Sequence, residues 1–156
     1  MRQMPPPELV ARWHQFGSVC PLYRTHGDRL ANEPWSFGPE AETSITKSIR
    51  LRTSLQDYIM GLSANASAHG TPITTPLWWH FPDDPELTRR EIVDAFMFGP
   101  RYLAAPVLEL GARTRTLYLP LNVGGWTHHY TGARFAGGAN LTVQAPFDEL
   151  PLFVRG

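Results

Sequence analysis

Along residues 5 to 17, PPPELVARWHQFG, apolar side chains fall at Leu9, Val10, Trp13 and Phe16. That spacing predicts one face of a short helix, with prolines suited to its first turn and Gly17 to its end. SVCPLYRTHG then reads as a brief apolar strand running to His26, with Pro21 at a position that cannot donate to a ladder. From Asp28 to Glu42 the pattern is aperiodic and rich in turn formers, which predicts a structured loop carrying Trp35 and Phe37. Ile45, Ile49, Leu55, Ile59 and Leu62 next form an apolar stripe, opened by Thr43 or Ser44 and closed by Gly70. This predicts one long helix of about 25 residues. TPITTPLWWHFP admits a short strand from Ile73 to Trp79, and Asp84-Pro85 caps a third helix over Glu86 to Ala95.

Beyond Phe98-Gly99 the pattern changes. The runs RYLAAPVLEL, TRTLYLPL, GWTHHYTG, ARFAGG, NLTVQAP and LPLFVRG are short, β-rich and separated by glycines. Repeated short strands with glycine turns predict an antiparallel sandwich. The chain therefore divides into an α/β part over residues 1–95 and an all-β part over 96–156.

Composition narrows the function classes. Basic and acidic residues balance at 14 each in 156 residues, so no long-range field draws in nucleic acid or an anionic membrane. Cys20 is the only cysteine, which excludes an internal disulfide and a cysteine-rich zinc site and marks it as a packing residue. The opening MRQMPPPELVARW lacks the apolar core of a secretory signal, and no run reaches the roughly 18 apolar residues of a membrane span. The cytoplasm is the compartment this favours.

The candidate chemistry is sparse. His128 and His129 are adjacent on a predicted strand, so they point to opposite faces and cannot share one ion; no metal site is expected. His14, His69 and His80 read as surface or packing residues. Asp83-Asp84 is the only adjacent acidic pair, explained by capping at the positive end of a helix. Asp28 and Glu33 lie close enough to His26 in the chain to reach the same mouth without forming a specified pair, and Asp57 reads as a solvated mid-helix charge. Trp35, Phe37, Trp78, Trp79 and Trp126 offer flat apolar faces suited to sugar rings, although most aromatics are core. Trp35, in the loop beside His26, is the strongest of them. No phosphate-cradling glycine loop, nucleophile elbow or cysteine–histidine arrangement occurs.

The order of motifs is more specific than any one residue. ELVARWHQFGSVCPLYRTHG, EPWSFG, IRLRTSLQDYIMGL, HGTPITTPLWWHFPDD, FMFGPRYLAAPVLELGARTRTLYLP, GGWTHHYTG and APFDELPLFVRG together resemble the later part of the glycoside hydrolase family 31 α-glucosidases and α-xylosidases. The resemblance implies the final units of a (β/α)8 barrel followed by a proximal C-terminal β-sandwich. It also implies that His26, at the C-terminal barrel face, hydrogen-bonds hydroxyls of the sugar where cleavage happens. The family retains configuration with two aspartates, one nucleophile and one acid/base, on barrel strands that precede everything here.

The resemblance thus implies a C-terminal fragment of a retaining α-glycosidase, inactive alone, with no catalytic residue of its own, no cofactor and no metal. His26 and Trp35 are its expected substrate-binding residues; its expected partners are an α-linked sugar and the missing N-terminal barrel portion. The alternatives are a non-catalytic carbohydrate-binding or scaffold protein and one half of a split enzyme. Two departures stand out: Thr74-Thr75 replaces a motif that often carries arginine, and Gln56-Asp57-Tyr58 replaces a Leu-Pro-Tyr-like turn, a change expected to straighten the long helix. Both ends are expected to be cut, since the family continues beyond VRG.

Overall fold

The computed structural model describes residues 4–27, 31–89 and 92–156. Helix α1 spans Pro7–Ser18, with Pro7 at its first position as the sequence predicts. A 3-10 turn, Pro34–Phe37, leads through Gly38 into α2, Pro39–Ser54, which starts ahead of the predicted Thr43 because Pro39 again opens it. The single long helix is in fact two, since α3 runs Gln56–His69 after a break at Leu55.

That break has a local cause. Thr53 Oγ1 donates to the Ile49 carbonyl at 3.0 Å and Ser54 Oγ to the Leu51 carbonyl at 2.8 Å. These hydroxyls take up helix acceptors, and the Leu55 N–H is shared between the Leu51 and Arg52 carbonyls, both at 3.2 Å. The helix thus turns at Leu55 without a proline, and the expected straightening does not occur.

Strand β1 is only Thr74–Thr75, because Pro76 ends the ladder and Leu77–His80 coil into the short helix α4. Helix α5, Pro85–Arg89, is capped as predicted: Asp84 Oδ1 accepts the Glu86 N–H at 3.0 Å. It stops well short of Ala95, and residues 92–95 are not helical.

The remaining strands are β2 (Phe96–Phe98), β3 (Tyr102–Ala104), β4 (Thr114–Leu119), β5 (Trp126–His128), β6 (Arg134–Phe135), β7 (Ala139–Gln144) and β8 (Leu152–Arg155). One antiparallel sheet has the order β1-β2-β3-β8-β5-β6, and β4 pairs with β7 in a second. Strands β2, β3 and β8 of the large sheet are covered on both faces, and strand alternation divides their side chains between two cores. Met97, Leu103 and Phe153 pack with Trp126 against Leu117 and Leu119 of the small sheet. Phe98, Tyr102, Ala104 and Leu152 pack the opposite way, against Leu51, Leu55 and Ile59 of the helices. Complete burial of Phe153 or Trp126 stabilises by about 2–3 kcal/mol each. The result is three layers, of which the helical one carries the candidate site.

Two contacts lock the layers together. Tyr58 Oη donates to the Phe98 carbonyl at 2.9 Å, joining α3 to the β2–β3 turn. At that turn Gly99 adopts φ +57°, where a Cβ would strike the Tyr58 hydroxyl and the Leu62 side chain. On the far side, Trp126 donates Nε1–H to the Pro120 carbonyl at 2.8 Å, which removes this tryptophan from the sugar-stacking candidates.

Candidate functional site

Helix α1 buries only part of the face its apolar spacing predicts: Val10 and Phe16 are half-buried, against the Phe37 cluster and Phe96 respectively. Leu9 and Trp13 are 50% and 68% exposed, whereas Ala11, Arg12, Gln15 and Ser18 are buried. Ala11 packs against Ala41 and Ile45 of α2, and the rest of the inward face is polar because it meets a loop, residues 145–150, whose carbonyls need donors. Arg12 Nη1 donates to the Pro146 and Glu149 carbonyls at 3.0 and 3.1 Å, and Nη2 to Ala145 at 3.0 Å and Ala112 at 3.2 Å. Gln15 Nε2 donates to the Phe147 carbonyl at 2.7 Å and to Ser44 Oγ at 3.0 Å. From α2, Lys47 pairs with Asp148 at 2.8 Å and Glu149 at 2.9 Å. A buried arginine and glutamine cannot be found by apolar periodicity; the only sequence signal for them is their spacing on the face where Ala11 and Ser18 also fall.

With α1 fixed, the segment leading to His26 is placed in turn. Residues 22–27 form no strand, contrary to the sequence reading; none of them pairs in a ladder with another described residue. They are anchored by side chains instead. Arg52 Nη1 donates to the carbonyls of Ser18, at 3.3 Å, and Cys20, while Nη2 reaches the Pro21 carbonyl at 3.0 Å. The Tyr23 ring meets the His14 ring edge-on, with its hydroxyl 2.6 Å from Nδ1. Burial pushes the Tyr23 phenol up to about 12, despite the opposing pull of Arg52. Gly17 makes room for this ring, since a Cβ there would lie 2.8 Å from Tyr23 Cδ2.

These anchors shape a cleft of about 520 Å³ lined by Trp13, His14, Tyr23, His26, Asn32 and Phe37, among others. His26 itself is exposed at the rim. Trp35 is 66% exposed and lies outside the lining, although Phe37 of the same 3-10 turn contributes to it. Cys20, only partly buried, donates its thiol to the Phe16 carbonyl at 3.3 Å, and burial raises its pKa, so it is not an activated nucleophile.

No carboxylate lines the cleft among the described residues. Asp28 lies outside the described residues. Glu33 is exposed and occupied locally, accepting the Asn32 N–H at 3.0 Å and Ser36 Oγ–H at 3.2 Å; backbone donors hold its pKa down. Asp84 is buried elsewhere, accepting from the Tyr118 hydroxyl at 2.8 Å and the Leu121 N–H at 2.9 Å. Asp57 sits in the first turn of α3 rather than mid-helix, exposed. No group of three or more His, Cys, Asp or Glu residues among the described ones is placed to hold a metal. No described helix is long and apolar enough to cross a membrane.

Comparison with known proteins bears on this geometry. The family model "Glycosyl hydrolases family 31 TIM-barrel domain" matches residues 2–62, and "Glycosyl hydrolase family 31 C-terminal domain" matches residues 70–156. A neutral alpha-glucosidase C from Macaca fascicularis is 36% identical over 97% of this chain and 20% of its own length. An alpha-xylosidase from Saccharolobus solfataricus is 36% identical over 95% of this chain and 20% of its own. A crystal structure of a GH31 alpha-xylosidase from a soil metagenome, complexed with xylose, superposes with a TM-score of 0.89 at 36% identity, covering 98% of this chain and 25% of that one. The chain thus spans about a fifth of the length of the curated relatives it matches.

Proposed function

Because the chain belongs to glycoside hydrolase family 31, we propose that it supplies the C-terminal end of a retaining α-glycosidase acting on α-glucosides or α-xylosides. In this reading His26 donates hydrogen bonds to sugar hydroxyls, with Trp35 an outer contact. Both catalytic aspartates belong to preceding barrel sequence, and the chain alone does not hydrolyse. The observation that carries the reading is the composition of the cleft. Its described lining offers imidazoles, Asn32, Arg24 and aromatic faces, which bind and orient a pyranose, but no carboxylate. Retaining hydrolysis needs two acids about 5–5.5 Å apart, and an imidazole at the rim substitutes for neither.

The test is a titration of the purified chain with D-xylose and methyl α-glucoside, followed by tryptophan fluorescence. Saturable binding that weakens about fivefold in His26→Ala, the equivalent of one hydrogen bond near 1 kcal/mol, supports the reading; binding indifferent to His26 contradicts it. A response absent altogether favours the scaffold alternative. The exposed Leu9, Trp13 and Leu22 support a second reading, one half of a split enzyme in which another polypeptide covers this apolar rim. Recovery of hydrolysis on co-expression with a preceding barrel polypeptide tests it.

A further inference from the structure

Arg52 stands on α2, yet the acceptors it holds all lie at the end of α1 and in the turn beyond it. Ser18, Cys20 and Pro21 each receive one of its hydrogen bonds. A planar guanidinium with donors diverging from two nitrogens suits this geometry, whereas a lysine head, a single point, does not span it. Immediately beyond, the chain enters the stretch that forms no ladder and leads to the exposed His26. Along that stretch Tyr23 is held in turn by His14.

We propose that Arg52 is a positioning residue for His26: by fixing the carbonyls of Ser18, Cys20 and Pro21 it sets the point from which residues 22–27 depart, and so where the imidazole meets a sugar hydroxyl. The inference rests on the sugar-binding reading of His26. The lever is long enough to matter. Five residues reach at most about 17 Å, so a swing of about 10° at Pro21 displaces the far end by up to about 3 Å, a full hydrogen-bond length. If losing the anchor leaves His26 in its competent place about a tenth of the time, apparent affinity falls about tenfold.

The experiment uses the full chain with ¹³C-labelled histidine and ¹⁵N-labelled amides, as wild type, Arg52→Gln and Lys47→Met. Lys47 occupies the same helix and binds Asp148 and Glu149 instead, so it controls for general loosening of α2. D-xylose should shift the His26 ring signals in wild type and in K47M, and R52Q should bind about tenfold more weakly. Amide relaxation should show Thr25 to Gly27 newly mobile in R52Q alone. Xylose affinity of R52Q within twofold of wild type overturns the proposal. Should wild type give no xylose response, the sugar-binding reading fails by itself, and relaxation still decides the anchor: Thr25 to Gly27 unchanged in R52Q overturns the positioning role.

Discussion

Arg12 Nη1 and the Glu149 carbonyl meet at 3.1 Å although 137 positions separate them in the chain. This contact, with its companions at Ala145 and Pro146, ties the first helix to the loop that precedes the last strand, and a fourth, at Ala112, ties it to the segment before β4. The all-β part is therefore more than a neighbour of the helices. It supplies the acceptors that set where α1, and hence the turn toward His26, is held.

Replacing Arg12 by Met should remove four hydrogen bonds to carbonyls and leave those of Ala145 and Glu149 without their donor, whereas Pro146 keeps the Glu149 N–H and Ala112 keeps Arg113. The expected loss is about 3 kcal/mol of unfolding free energy, measured by denaturant titration. A loss below about 1 kcal/mol would show that water replaces the guanidinium freely.

Gly17→Ala should drive the Tyr23 ring off His14, because the new methyl lies within 2.8 Å of the ring carbon. The phenol, now held up to about 12 by burial, should titrate closer to the ordinary tyrosine value near 10 once exposed. NMR titration of the Tyr23 ring checks this; an unmoved midpoint means the ring has kept its place.

Asp84→Asn should destabilise by about 2 kcal/mol without any bearing on sugar binding. A carboxylate here accepts from Tyr118, Leu121 and Glu86 at once, and an amide has only one acceptor oxygen to offer them. Thermal unfolding and the xylose titration, run in parallel on the variant, separate the two effects.

Stability should fall as pH drops from about 7 toward about 5. Burial lowers the pKa of His14, His80, His128 and His129, so the unfolded chain takes up protons on these residues before the folded one does. Their penalty is absent above the unfolded histidine value near 6.5 and grows below it. The Lys47–Asp148 pair adds a later loss, because hydrogen bonding to Lys47 depresses the Asp148 pKa and that contribution disappears only as pH falls through the carboxylate range. Urea midpoints at successive pH values read both phases; a flat profile between about 7 and 5 contradicts the histidine assignment.

How much of the structure is legible in the sequence differs by element, for physical reasons. The start of α1, the capped α5 and the glycine-spaced strands come from proline, aspartate and glycine, whose preferences are local. The division of Met97, Leu103 and Phe153 from Phe98, Tyr102 and Leu152 comes from alternation alone. Anything fixed by a distant carbonyl stays hidden. Arg12 and Gln15 look like ordinary surface residues until the loop over 145–150 is placed against them. The same holds for Arg52, which as a helix arginine gives no sign of gripping Cys20 and Pro21. The PLYRTHG run reads as strand because its residues suit one, but a strand also needs a paired neighbour, and among the described residues it has none.

Family membership rests on the sequence; the proposed division of labour between this chain and a catalytic barrel portion rests on the chemistry of the cleft. Hydrolysis of p-nitrophenyl α-xyloside and α-glucoside by the purified chain tests that division most directly. The expected result is release of p-nitrophenol indistinguishable from the buffer rate. Turnover above that rate, abolished by substituting an aspartate or glutamate of this chain, would contradict it.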